Sequence, residues 1–140
     1  MNALDATRTP PRPRWYEAVP LRRTILLDAL ATGAMALLLA LAAAPLAARL
    51  ALPEAVLRGC GLVLLVYTAG LVALLAAREL PRWGARCVVA LNLAWVVASV
   101  AALAGGWLAP NALGIAFVIA QAAAVLAFAE LQYFALRRLR

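Results

Sequence analysis

The chain has 140 residues, 67% of them hydrophobic and 14% charged, where a soluble domain carries about 45–50% apolar and about 25% charged residues. That balance excludes a water-soluble globular core and makes an all-α, polytopic membrane protein the expected class. Net charge is +7, every one of the thirteen basic residues is Arg, and His is absent, which removes imidazole-ligated haem, imidazole metal sites and His general-base chemistry.

Residues 1–23 read as a basic arm: Pro10, Pro11 and Pro13 interleave with Arg8, Arg12 and Arg14, and Trp15, Tyr16, Arg22 and Arg23 suit a headgroup layer. The first span is predicted from Thr24 to Pro45, because Ile25 to Ala44 supplies the roughly 20 apolar helical residues that a bilayer core of about 30 Å demands. Pro45 is expected to kink or end it. Ala42-Ala43-Ala44 looks like a leader-cleavage site, but the apolar run is longer than a leader's and Pro45 follows at once, so the span is expected to be retained. A short connection with Arg49 and Pro53 leads to a second span over 54–77, in which Arg58 sits one turn inside and snorkels.

Arg78, Arg82, Trp83 and Arg86 form the middle loop, with Pro81 barring continuation of the second helix. The third span is predicted over 87–107 and the fourth over 111–134, separated by an uncharged turn from Gly105 to Asn111, and 137–140 is a basic tail. Eleven of the thirteen Arg residues then fall on one side and two, Arg49 and Arg58, on the other. The positive-inside rule puts the eleven-Arg side, with both termini, in the cytoplasm of a bacterial inner membrane. The partner implied is the lipid bilayer, with a homo-oligomer or larger membrane complex possible in addition; nucleic acid is not, since the Arg residues flank apolar spans. The two in-out hairpins would form a weak internal repeat in which Asp28 corresponds to Asn92 and Pro53-Glu54 to Pro110-Asn111.

Small residues let transmembrane backbones approach. Ala90, Ala94, Ala98, Ala102 and Gly106 make one four-spaced seam along the third span, and Ala116, Ala120 and Ala124 another on the fourth, so these two helices are expected to pack closely. Cys60 and Cys87 fall near opposite ends of their helices, which rules out pairing and leaves both as small buried hydrophobes.

The chemically informative residues are the few polar ones inside the spans. Asp28, Asn92 and Glu130 form a candidate polar intramembrane site on the cytoplasmic side, with Tyr67 and Gln121 lining a deeper path. The structural alternative has Asp28 bonding Asn92 or a nearby Arg, and Glu130 pairing with Arg137, Arg86 or Arg23. Thr24 and Thr32 are expected to bond carbonyls of their own helix, Gln121 to clasp a neighbouring helix, Trp15, Trp83, Trp107 and Tyr133 to anchor at the interfaces, and Trp95 to pack against another helix.

No nucleophile–base set, Gly-rich phosphate loop or metal-ligand cluster is present in the sequence, so no enzyme, cofactor or metal is expected. Three functions remain: an accessory or assembly protein packing laterally against membrane partners or itself; an oligomeric, proton-coupled transporter using Asp28 and Glu130; or a pigment-, quinone- or lipid-binding subunit with Trp95, Tyr67 and Phe128 around an apolar pocket. Size and helix count resemble the small multidrug resistance exporters, where Asp28 is a loose analogue of the essential Glu in helix 1. The strongly biased flanking charge and the long N-terminal arm depart from that pattern, and no family is assigned.

Overall fold

A computed structural model describes residues 20–138. The arm up to residue 19, with Trp15 and Tyr16, and Leu139–Arg140 of the tail lie outside the described residues. The described chain is all-helical, with α1 Leu21–Leu41, α2 Ala43–Leu50, α3 Glu54–Ala76, α4 Arg82–Ala104 and α5 Ala112–Arg137. Four of these, α1, α3, α4 and α5, have 21, 23, 23 and 26 residues and are long and apolar enough to cross a membrane. At about 1.5 Å per residue each reaches past a hydrocarbon core of about 30 Å.

The boundaries differ from the sequence reading in two informative places. The first span starts at Leu21, so Arg22 and Arg23 belong to the helix, and it breaks at Ala42, three residues before Pro45. Pro45 then occupies the first turn of the short helix α2, where a missing N–H costs little. Thus the short connection between the first two spans is mostly helical, and its helix ends at Ala51, whose φ of 51° lies in the left-handed region. The third span begins at Arg82 rather than Cys87, capped by Pro81, and takes Trp83 and Arg86 into its first turns.

α1 packs along α3 and α4 along α5, giving two hairpins, while the hairpins meet chiefly through α1 against α5. α3 and α4 meet side chain to helix near the Arg-rich end, where Leu74 lies against Gly84 and Leu71 shares a cluster with Ala85 and Val88. The backbones of α1 and α3 approach closely at Gly61, where an added Cβ would stand 2.6 Å from the Ala40 nitrogen and 3.0 Å from the Ala36 oxygen. Two apolar clusters result. One holds Leu21, Ile25, Leu71, Ala85 and Val88 near the Arg-rich end; the other holds Ala36, Leu39, Leu50, Leu57 and Leu64 toward the opposite end. Large side chains such as Leu30, Leu41, Val66 and Val97 stay exposed, which suits lipid, where an apolar side chain gains little by turning inward.

Each end of the bundle is tied by polar contacts. At the Arg-rich end the Arg22 guanidinium donates to the Ala77 carbonyl at 3.2 Å and to the Leu75 carbonyl, satisfying the orphan acceptors where α3 stops. At the other end Asn111 caps α5, accepting from Gly114 N at 2.9 Å. The same residue donates through its side chain to the Arg49 carbonyl at 2.8 Å and through its backbone to the Leu50 carbonyl at 3.2 Å. Arg58 pairs with Glu54 at 2.5 Å on the exposed face of α3.

Candidate functional site

Between the two apolar clusters lies a layer of polar side chains, at least one from each long helix: Asp28 and Thr32 from α1, Tyr67 from α3, Asn92 from α4 and Gln132 from α5. Asp28 is 0% exposed. Its Oδ1 accepts from Thr32 Oγ1 at 2.9 Å, and its Oδ2 accepts from Gln132 Nε2 at 2.7 Å and Asn92 Nδ2 at 2.8 Å; Tyr67 OH stands 3.4 Å from the same oxygen, its single proton shared with the shorter bond to Asn92. The remaining groups satisfy one another. Tyr67 OH donates to Asn92 Oδ1 at 2.9 Å, and Asn92 Nδ2 donates to Gln132 Oε1 at 3.1 Å.

A buried carboxylate away from water must be surrounded by donors. Here every donor is neutral, and no described Arg reaches Asp28. Of the two pairings read from the sequence, Asn92 is therefore the one present. The chemical consequence is a carboxylate whose lone pairs are occupied on both oxygens and which is sealed from solvent. The hydrogen bonds cross from α1 to α3, α4 and α5, so they also fix the rotation of four helices whose apolar surfaces alone distinguish few rotations.

The five site residues read from the sequence do not gather in one place. Asp28, Asn92 and Tyr67 meet in the network. Gln121 lies deeper, half-buried, with no hydrogen bond to another described residue, so the expected helix clasp is made by Gln132 instead. Glu130 is exposed and makes no ion pair with a described residue, because it sits two positions from Gln132 and so on nearly the opposite face of α5. Thr24 does bond its own helix, donating to the Leu21 carbonyl at 2.8 Å, whereas Thr32 is drawn to Asp28. Gln132 is the member left out of the candidate site in favour of the ionisable Glu130 beside it; its signals in the sequence are its level, near the Arg-rich end like Asp28, and the face it shares with Gln121 eleven residues before it.

Beyond the network α3 and α4 part, and a cleft of about 530 Å³ opens there, walled by all four long helices. Thr32, Tyr67 and Asn92 face it at one end, and Met35, Trp95, Phe117, Gln121 and Phe128 line the rest. A smaller cavity of about 240 Å³ adjoins it, sharing Trp95, Phe117 and Gln121. The sequence grouping of Tyr67, Trp95 and Phe128 around an apolar space is thus present as a wall of this cleft. Two buried donors near it, Trp95 Nε1 and Thr68 Oγ1, have no partner among the described residues.

The α4 seam is placed differently from the expectation. α4 does pack on α5, yet Ala90, Ala94, Ala98 and Gly106 are exposed and Ala102 is half-buried, with Ala98 and Ala102 on the wall of the smaller cavity; Ala116, Ala120 and Ala124 of α5 are exposed as well, the last two on the wall of the cleft. The residues α4 buries are Gly84, Ala85, Val88, Val89 and Asn92. Trp83, Trp107 and Tyr133 are exposed near the helix ends, as interfacial anchors require, and Trp95 is half-buried against the second apolar cluster. Both cysteines are free; Cys60 is half-buried, but Cys87 is exposed rather than buried.

No family model, curated protein or solved structure matches the chain.

Proposed function

We propose that the protein is a non-enzymatic accessory or interaction subunit of a bacterial inner membrane, working by lateral association with membrane partners or with a second copy. Its Arg-rich end, with both termini, faces the cytoplasm on the positive-inside rule. The observation that carries this reading is the outward placement of the first part of the small-residue seam. Ala90 and Ala94 lie exposed on α4 and line neither cavity, while the intrachain packing of that helix buries Gly84, Ala85, Val88, Val89 and Asn92. A helix face free of bulky side chains is what lets a second transmembrane helix approach closely. The internal polar network supports the same reading, since it makes the bundle a self-sufficient unit with an outer surface free for partners.

The test is native mass spectrometry of the full chain in mild detergent, with Ala90→Leu/Ala94→Leu beside wild type. A self-oligomer or a defined hetero-complex that the double variant loses, with helical content and melting temperature retained, is the expected result. A chain that remains alone, or an association indifferent to the seam, overturns the reading.

The alternative of proton-coupled transport by an oligomer rests on Asp28, an ionisable group inside a span. Against it stands the separation of Asp28 from Glu130, one sealed and the other exposed. A proton-flux assay in liposomes comparing Asp28→Asn with wild type decides it: flux in wild type that the variant abolishes favours transport, and absence of flux removes it.

A further inference from the structure

The cleft between the hairpins carries an inference beyond lateral association. Three of its features restrict what it takes. First, no charged side chain lines it or the adjoining cavity; Asp28 is sealed behind Thr32, Tyr67 and Asn92. An ionic ligand would enter uncompensated, so the ligand is neutral. Second, Gln121 stands where the two cavities join with its side-chain amide paired to no described residue. It lies nine residues into α5, roughly 14 Å along the helix and so near mid-bilayer. A phospholipid has only hydrocarbon at that depth, and its ester and headgroup oxygens stay near the surface. A molecule that satisfies the Gln121 amide must therefore carry its polar group into the membrane interior. Third, the walls beside Gln121 are aromatic, with Trp95 and Phe117 shared by both cavities and Tyr67 and Phe128 further along the larger one. Such walls favour a flat ring over a bare chain.

We propose that this cleft binds a neutral, lipid-soluble carbonyl compound of the quinone class. Its ring lies against Trp95 and Phe117, a ring carbonyl accepts from Gln121 Nε2, and the alkyl or isoprenoid tail leaves toward lipid through the gap between α3 and α4. The volume, about 530 Å³ with a further 240 Å³ adjoining, lies within the roughly 300–1,000 Å³ usual for small-molecule sites. The proposal concerns binding alone and does not depend on whether the α4 seam engages a partner.

The experiment is a titration of the full chain in phosphatidylcholine nanodiscs with a decyl-substituted benzoquinone, followed by tryptophan fluorescence. Wild type is expected to show saturable quenching, and Trp95→Phe to lose the saturable component. Gln121→Leu is expected to weaken the midpoint about five- to tenfold, the effect of deleting one neutral hydrogen bond. Ala124→Phe, which fills the larger cavity, is expected to abolish saturation; circular dichroism checks that each variant keeps its helices. Quenching that rises without saturating in wild type, that survives in Trp95→Phe, or that is unchanged in Gln121→Leu overturns the proposal. So does recovery of phospholipid alone, equally from wild type and Gln121→Leu, when lipids carried through purification are identified by mass spectrometry.

Discussion

Gln132 donates to the carboxylate of Asp28 at 2.7 Å across 104 residues of sequence, joining the last long helix to the first. That bond lies at the α1–α5 contact, the main junction between the two hairpins. Replacing Asp28 with Asn keeps the shape but substitutes a donor for one acceptor oxygen: the amide nitrogen either faces the donors of Asn92 and Gln132 or turns to the Thr32 hydroxyl, which can accept it, leaving Asn92 and Gln132 bonded to a neutral amide oxygen in place of a carboxylate. We expect a loss of about 2–3 kcal/mol in detergent or lipid, somewhat above the average interhelical hydrogen bond because several bonds share this acceptor. The exchange Asp28→Asn/Asn92→Asp returns one carboxylate to the same layer and should recover part of that loss. Additive damage in this double-mutant cycle would show that the two residues are not coupled.

Much of this architecture is legible in the residues, and the rest is hidden for a definable reason. Span number follows from apolar run length, and the Asp28–Asn92 pairing from the need of a buried carboxylate for a donor. Helix rotation is different. In α4 and α5 almost every position is apolar, so hydropathy marks no inward face, and the small seam that reads as the packing surface lies outside at Ala90 and Ala94 and on a cavity wall at Ala98 and Ala102. The same degeneracy concealed Gln132 behind Glu130. The break at Ala42 was hidden by helix propensity, since an Ala/Leu run reads as uninterrupted helix; Pro45 gave the only warning, and the chain used it to start α2 instead of ending α1.

The three glycines of α3 that seem equivalent in sequence should behave in opposite ways. A Cβ at Gly61 would stand 2.6 Å from backbone of α1, whereas one at Gly59 or Gly70 would meet nothing within 4 Å. Gly61→Ala therefore forces α1 and α3 apart and should destabilise by about 1–3 kcal/mol. Gly59→Ala and Gly70→Ala only remove the entropy cost of glycine in a helix and should stabilise by up to about 0.5–1 kcal/mol. Thermal melts of the three purified variants check the sign; a neutral Gly61→Ala would mean the helices are not this close.

Asn111 joins α5 to the end of α2 by two hydrogen bonds, one from its side chain to the Arg49 carbonyl and one from its backbone to the Leu50 carbonyl, and caps α5 by a third, accepted from Gly114. Asn111→Ala should lose the cap and the tie to Arg49, at a cost of about 1–2 kcal/mol. Asn111→Asp keeps the cap acceptor but loses the donor to the Arg49 carbonyl, so it should fall between the two. Hydrogen exchange at the Gly114 amide, read by mass spectrometry, should accelerate in the Ala variant and much less in the Asp variant. Equal protection in both would show that Gly114 draws its partner from elsewhere.

Glu130 and Gln132 are two positions apart, and helical geometry turns them about 200° from each other. One is exposed without an ion pair among the described residues; the other is 0% exposed and holds Asp28 and Asn92. If placement rather than ionisability decides importance, the charged residue is the dispensable one. Glu130→Gln should change stability by no more than about 0.5 kcal/mol, or raise it slightly by removing a charge from an apolar helix. Gln132→Leu, apolar and of similar size, should cost about 1–2 kcal/mol by leaving Asp28 short of a donor. Denaturation of both variants in the same detergent gives the comparison. A large loss from Glu130→Gln beside a small one from Gln132→Leu would reverse the assignment and restore Glu130 to the site.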